Sequence, residues 1–296
     1  MPRALYYFHY HELWKSFFGE LGFEVVVSSP TNKAILDLGL TNCVDGACLA
    51  IKSYVGHALF LARQNVPLLF VPQVISVSRK EYTCPNFLGL PDLLRQYLPA
   101  SIEMLTPVLD ARKGEGALAR SYHRLGSGFA SHSSVRKAWY AARNAQRTCE
   151  ESTWCELGDT TRLKVLVLGP RYLTDDPFLS GNLCFQLERL GAQVYTASQV
   201  PEERSISLSQ GVDKRLFWSN ARQSIGALEH FMERLDGVVS LAPFGCGAES
   251  FAGALIERRA REKGIPTLAA NLDEHTSTVG MITRLEAFCD LLERKK

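Results

Sequence analysis

The stretch LKVLVLGP, residues 163–170, reads as a buried strand: apolar residues run almost unbroken until Gly169-Pro170 stops them. The pattern then repeats. DPFLSGNLCFQLERLG (176–191) has helical apolar spacing, AQVYTAS (192–198) is a second strand, and a long helix is predicted across 213–235. GVVSLAPFG (237–245) and IPTLAAN (265–271) are two more strands. They flank the helix AESFAGALIERRAREKG (248–264), and a terminal helix closes the chain. Strands that alternate with helices pair in parallel through right-handed crossovers. Residues 162–296 are therefore predicted to form a doubly wound α/β lobe.

The same alternation is read at the start of the chain. RALYYF (3–8) and FEVVVS (23–28) look like strands around the helix-like HELWKSFFGELG (11–22). ACLAIKSYVGHALFLARQ (47–64) follows as a helix and PLLFVPQVISV (67–77) as another buried strand, which gives a first α/β lobe over 1–111. Residues 112–161 are rich in alanine, arginine and serine without a convincing strand, and read as a helical connector. The expected architecture is α/β: two doubly wound parallel-sheet lobes joined by that connector.

A chain of 296 residues exceeds one ordinary core, which suits two lobes. With 46% apolar and 22% charged residues it falls among globular proteins, and no run nears the roughly 20 apolar residues of a membrane span. The N-terminus lacks an apolar signal core, so cytoplasm is the expected compartment. Net charge is +2 with the basic residues scattered, which gives no footprint for nucleic acid. Eight cysteines in a reducing compartment point to metal binding or catalysis before disulfides.

Ligands in open α/β sheets collect beyond the carboxyl ends of strands, and three cysteines fit that position. Cys246 ends a strand and meets Gly247 at the start of a helix. Cys48 immediately precedes a helix, where amide groups favour a thiolate. Cys84 follows a strand and precedes Pro85. These three are the candidate shared metal site, placed in the cleft between the lobes. Cys184 and Cys289 lie inside helical patterns and read as core residues; Cys43, Cys149 and Cys155 carry weaker claims.

Several long phrases also carry a resemblance: GACLAIKSYVGH (46–57), KEYTCPNFLGLPD (80–92), APFGCGAES (242–250) and NLDEHTSTVGMITRLEAF (271–288). Together with residues 2–33 and LGPRYLTDDPFLSGNL (168–183), they resemble the 2-hydroxyacyl-CoA dehydratase D-component superfamily. The nearest branch is that of the CoA protein activase-related proteins, whose relatives include benzoyl-CoA reductase subunits and the double-cubane cluster protein. The resemblance implies cysteine-ligated iron–sulfur chemistry on Cys48, Cys84 and Cys246, most simply a [4Fe–4S] cluster, with a double cubane as an alternative. It also implies electron transfer in an anaerobic setting, and an ATP-dependent activator ATPase as partner, alongside a homo-oligomer or related subunit. Gly46 and Ala50 stand where the family phrase has an acidic residue and a proline, and Ser277 to Gly280 replace a Glu-Ala-Gly phrase.

Three thiolates leave one metal position open, which suits a nonprotein ligand. Zinc closed by His57 or His275 is the other metal reading. Around the cysteines, Lys52 reads as a solvated lysine that could offset thiolate charge, His57 as a packing histidine, and Lys80 and Glu81 as flanks of the Cys84 loop. Asp273, Glu274 and His275 read as helix caps or proton carriers, and Arg284 as an anion holder or a surface ion-pair partner. No GxxxxGK[ST] or GxGxxG phrase occurs, so the chain itself shows no nucleotide signature. Two function classes follow. One is an iron–sulfur component, redox or dehydratase-like; the other is a metal-free or zinc-stabilised α/β module that binds a small ligand.

Overall fold

The fold was obtained as a computed structural model that describes residues 1–64, 66–158, 161–211, 216–276 and 278–295. The chain divides into two compact units. Unit 1 is Met1–Ser152 with Phe217–Ser219, and unit 2 is Thr153–Leu216 with Asn220–Lys296.

Unit 1 opens without the two expected strands. Residues 3–8 leave extended backbone at Leu5, whose φ is +52°, and enter helix α1 (Tyr7–Glu20). The aromatic residues that suggested a strand are buried by packing instead: the Tyr6 ring meets the Phe87 ring edge-on at 5.6 Å, and Tyr7 and Phe8 are buried on α1. Residues 23–28 form no strand either; their backbone reaches residue 1 through Ser28 N–H to the Met1 carbonyl, too short a contact for a ladder. Helices α2 (Lys33–Asn42) and α3 (Leu49–Arg63) follow. Gly39 and Gly56 let these two approach backbone to backbone, since a Cβ would lie 1.9 Å from the Lys52 carbonyl at Gly39 and 2.0 Å from the Ile35 carbonyl at Gly56.

The expected strand at 67–77 is present but broken into β1 (Leu68–Phe70) and β2 (Gln73–Ser76). Between them Val71 N–H still donates to the Leu105 carbonyl and Gln73 N–H to the Pro107 carbonyl, both at 2.9 Å, but Pro107 has no N–H to give back. After α4 (Pro85–Leu88) and α5 (Leu90–Arg95), β3 (Glu103–Leu105) pairs with β1 and β4 (Val108–Asp110) with β2, both in parallel. The result is two two-stranded sheets, not the doubly wound sheet expected of the first lobe. Helices α6 (Glu115–Gly126) and α7 (His132–Thr153) pack onto α1: Trp14 Nε1–H donates to Tyr122 Oη at 2.8 Å, and the Gln146 amide donates to the His9 carbonyl at 2.7 Å.

Unit 2 follows the expected alternation. Strand β5 (Leu163–Leu168) leads through α8 (Arg171–Thr174) and α9 (Leu183–Arg189) to β6 (Ala192–Thr196). Helices α10 (Glu202–Leu208) and α11 (Ser219–Phe231) return the chain to β7 (Gly237–Pro243). The start of the helix expected across 213–235 falls partly outside the described residues. Helix α12 (Gly247–Glu262), β8 (Thr267–Leu272) and α13 (Thr278–Lys295) complete the unit. All four strands are parallel, in the order β6-β5-β7-β8. Neighbouring strand residues face opposite sides. Val238 joins a core with Ile225, Leu228 and Ile256 of α11 and α12, whereas a Cβ on Gly237 would meet Leu292 and Phe288 of α13. Helices thus cover both faces, and the sheet of unit 2 is doubly wound.

Candidate functional site

Each of the three cysteines singled out by sequence stands at a helix N-cap in extended backbone. Cys48 precedes α3 (φ −69°, ψ 159°), Cys84 precedes α4 (φ −61°, ψ 136°) and Cys246 precedes α12 (φ −85°, ψ 106°). All three are half-buried. Cys48 and Cys84 belong to unit 1 and Cys246 to unit 2. Among the described residues, no group of three or more His, Cys, Asp or Glu side chains is arranged to hold a metal ion.

The Cys84 turn is held on both sides within unit 1. Thr83 donates its N–H to the Ile75 carbonyl at 3.1 Å and its hydroxyl to the Val74 carbonyl at 2.5 Å. Tyr82 forms a parallel bridge with Trp218, its N–H donating to the Phe217 carbonyl at 2.8 Å. Arg112 stacks over the Tyr82 ring at 5.2 Å and donates to its hydroxyl at 3.2 Å while pairing with Asp110. That guanidinium holds the Asp110 carboxyl below the usual carboxylate range. Pro85 then fixes the first helical position. Of the residues flanking this turn, Lys80 is exposed with φ +61° and Glu81 is buried.

Helix α3 is buried nearly all round, which overturns the reading of Lys52 as a solvated lysine: it is 5% exposed, one turn beyond Cys48. Burial pushes the neighbouring Cys43 thiol up, while the Lys52 ammonium acts in the opposite direction. His57 is a packing residue, as its place on the helix suggested. Ser28 Oγ lies 2.8 Å from its Nδ1 and Thr31 Oγ1 2.9 Å from its Nε2. Burial, and secondarily the Arg3 charge, bring its pKa down to about 3, so the ring is neutral and ties segment 28–31 to α3. An apolar pocket in the same unit is lined by Tyr54 of α3 and by Phe87 and Leu90, which follow Cys84.

In unit 2 the strand order reverses between β5 and β7, and ligands of doubly wound sheets gather beyond the strand ends at that point. Gly169 ends β5 with φ +151°, and a Cβ there would lie 2.7 Å from the Leu241 carbonyl, so no other residue lets β5 and β7 run on so close together. Gly245, at φ +75°, turns the chain from β7 into Cys246. One turn into α12 lies Glu249, buried and hydrogen-bonded to the Asn220 side chain. Burial pushes its carboxyl up to about 7, against the Asn220 bond, so it exchanges a proton near neutrality. The sequence reading did not single out Glu249, because an acid in a helix's first turn looks like an ordinary dipole partner; only its burial distinguishes it.

The loop after β8 is a cap. Asp273 Oδ1 accepts from the His275 N–H and the Thr276 hydroxyl, both at 2.9 Å, and the exposed His275 is fixed through its backbone. Ser277 lies outside the described residues. The Arg284 guanidinium donates to the Ala269 carbonyl at 2.5 Å. Cys184 and Cys289, read as core, have thiols pushed up to about 11, chiefly by burial. Cys155 packs against the unit 2 core, and Cys149 lies on α7.

This is an α/β protein with parallel sheets and cysteines at its helix starts. Residues 1–200 match the family described as the CoA enzyme activase uncharacterised domain (DUF2229), and the chain belongs to that family. The family lies in the same broad group as the 2-hydroxyacyl-CoA dehydratase activators and related proteins. Cys48 and Cys84 fall inside the matched residues and Cys246 beyond them. No curated protein matches the chain. Among the described residues, no helix is long and apolar enough to cross a membrane.

Proposed function

We propose that this chain is an iron–sulfur component of the acyl-CoA dehydratase and reductase machinery, a low-potential redox part or a small reductase- or dehydratase-like protein of the cytoplasm. Cys48, Cys84 and Cys246 are its thiolate ligands, and the family relationship supports the link to that machinery. The observation that carries the ligand assignment is their common placement: all three have extended backbone at a helix N-cap and are half-buried. The donor set is the right chemistry, since three thiolates suit a [4Fe–4S] cluster with one open iron; a double cubane needs further thiolates. When bound, such a group supplies low-potential one-electron chemistry. The chain's own residues set its surroundings. Lys52 offsets thiolate charge beside Cys48, Arg112 fixes the Cys84 turn through Tyr82, and Glu249 holds a proton one turn beyond Cys246. The partner on this reading is an ATP-dependent activator ATPase, with a second copy or a related subunit as a further partner.

One observation favours a second reading, the metal-free or zinc-stabilised small-ligand module: unit 1 contains an apolar pocket lined by Tyr54, Phe87 and Leu90. Anoxic purification followed by iron and sulfide analysis separates the two. The expected result is iron in the unaltered protein and in Cys289→Ser, with loss of iron in Cys84→Ser. Equal iron in all three sinks the ligand assignment, and iron in none of them favours the small-ligand module, with zinc analysis of the same samples telling its metal-free form from its zinc-stabilised one.

A further inference from the structure

Helices α2 and α3 are joined by CVDGAC, residues 43–48. The four central residues form a closed turn, with the Ala47 N–H donating to the Val44 carbonyl at 3.0 Å. The two cysteines flank it, Cys43 as the C-cap of α2 (φ −83°, ψ 154°) and Cys48 as the N-cap of α3, both in extended backbone. A second contact brackets them from the other side. One helical turn back from Cys43 is Gly39 and one turn on from Cys48 is Lys52, and these touch backbone to backbone. Cys48 is also near enough for its charge to act on the Cys43 thiol, as the last of several influences. A disulfide needs Cα atoms within about 7 Å, and a segment closed at both ends supplies that approach.

We propose that Cys43 and Cys48 form a redox-active dithiol that closes to an intramolecular disulfide under peroxide. The half-buried Cys48 reacts first. Its thiolate attacks one peroxide oxygen, the O–O bond breaks, and Cys48 becomes a sulfenic acid as water leaves. The buried Cys43 sulfur then attacks the Cys48 sulfur; the S–S bond forms, the S–O bond breaks, and a second water leaves with the Cys43 proton. Two thiols are oxidised by two electrons, and one hydrogen peroxide is reduced to two waters. Lys52, buried one turn beyond Cys48, places a positive charge near the pair. The bridge stops Cys48 short of irreversible sulfinic acid. Its further effect, removing Cys48 from metal ligation, rests on the reading proposed above; the dithiol itself rests on unit 1 alone.

Both cysteines lie in one tryptic peptide, residues 34–52. Anoxically purified protein of known iron content is treated with hydrogen peroxide, blocked and digested without reductant. The expected result is a peptide lighter by two hydrogen atoms and restored by dithiothreitol. In Cys43→Ser the bridge is absent, and dimedone traps Cys48 as the sulfenic acid. A parent peptide that gains oxygen without losing hydrogen, or links to another cysteine, overturns the proposal. Cys43→Ala with circular dichroism guards against a folding defect, and the parent's mass decides by itself if both variants unfold. Iron-free protein that forms the bridge refutes the ligand assignment and leaves the dithiol standing; protein stripped of iron that fails to form it refutes the dithiol.

Discussion

Unit 2 and unit 1 start from similar apolar runs, yet unit 2 turns its runs into one sheet and unit 1 does not. The difference lies in uninterrupted length. Strands β5 and β7 have 6 and 7 residues, and β7 pairs with β8 from Val238 to Pro243 without a break. In unit 1, β1 and β3 have 3 residues each, and Pro107 withholds a donor between the two short pairs. A ribbon of only two short strands cannot organise a unit. Unit 1 is held instead by helices, through the aromatic contacts of Trp14, Phe17, Tyr122 and Trp139 and through the glycine contact of α2 with α3.

The largest effect that tests this contrast is a single methyl group. Gly39→Ala or Gly56→Ala in unit 1 drives a Cβ into backbone carbonyls that cannot step aside, and is expected to cost about 3 kcal/mol or more. Gly237→Ala in unit 2 puts a Cβ 2.7 Å from Leu292 Cδ1 and 2.8 Å from Phe288 Cζ, side-chain ends that can move; its cost is expected near 1 kcal/mol. Urea unfolding of the three variants measures both. Equal losses would mean that the helix pair of unit 1 is no tighter than the sheet packing of unit 2.

A smaller effect separates the units by pH. His57 is depressed to about 3 in the fold, against about 6.5 for an ordinary imidazole. The unfolded chain therefore binds a proton that the folded one refuses, and unit 1 loses stability as pH falls from about 6.5 toward 3. Glu249 is raised to about 7, against about 4.3 for an ordinary glutamate. Its contribution is complete below that ordinary value and is lost as pH rises through about 7. Each limb has a slope of at most about 1.4 kcal/mol per pH unit, the value of one proton. Hydrogen exchange at α3 and at β7 reads the units separately. His57→Gln is expected to flatten the acid limb at α3, and Glu249→Gln the alkaline limb at β7. Flattening of the wrong limb, or of neither, would break the assignment.

These residues also show how far the sequence could be read. The strands of unit 2 were legible because β5, β7 and β8 are continuous apolar runs bounded by glycine, proline or asparagine, and the N-cap positions of Cys48 and Cys246 were legible because Gly247 and the apolar run after Cys48 mark where helices begin. The short helix directly after Cys84 was not, since Pro85 reads as holding that loop away from helix until about Leu90. Residues 3–8 misled because tyrosine and phenylalanine favour strands in general, while here Tyr6 and Phe87 pack ring to ring. Strands β3 and β4 went unread, since three-residue segments around Thr106-Pro107 leave no period to detect. Lys52 and Glu249 share another obstacle. Each has the composition of a surface residue, and only the elements packed over it make it a buried charge or a buried acid.

The smallest expected effect concerns Arg284, and it tests how unit 2 finishes its sheet. Strand β8 lies at one end of the four-strand order, so one side of its backbone has no strand to pair with. The Arg284 guanidinium reaches back from α13 to the Ala269 carbonyl of that strand. An exposed bond of this kind exchanges with water, so Arg284→Gln is expected to change stability by no more than about 0.5 kcal/mol. The change should also be nearly independent of salt, because the acceptor is a neutral carbonyl and carries no charge to screen. Urea titrations of the variant and the unaltered protein at low and high ionic strength check both points. A loss of more than about 1 kcal/mol that fades with added salt would restore a charged partner for Arg284, and would show that the sheet edge of unit 2 depends on electrostatics rather than on its hydrogen-bond ladder.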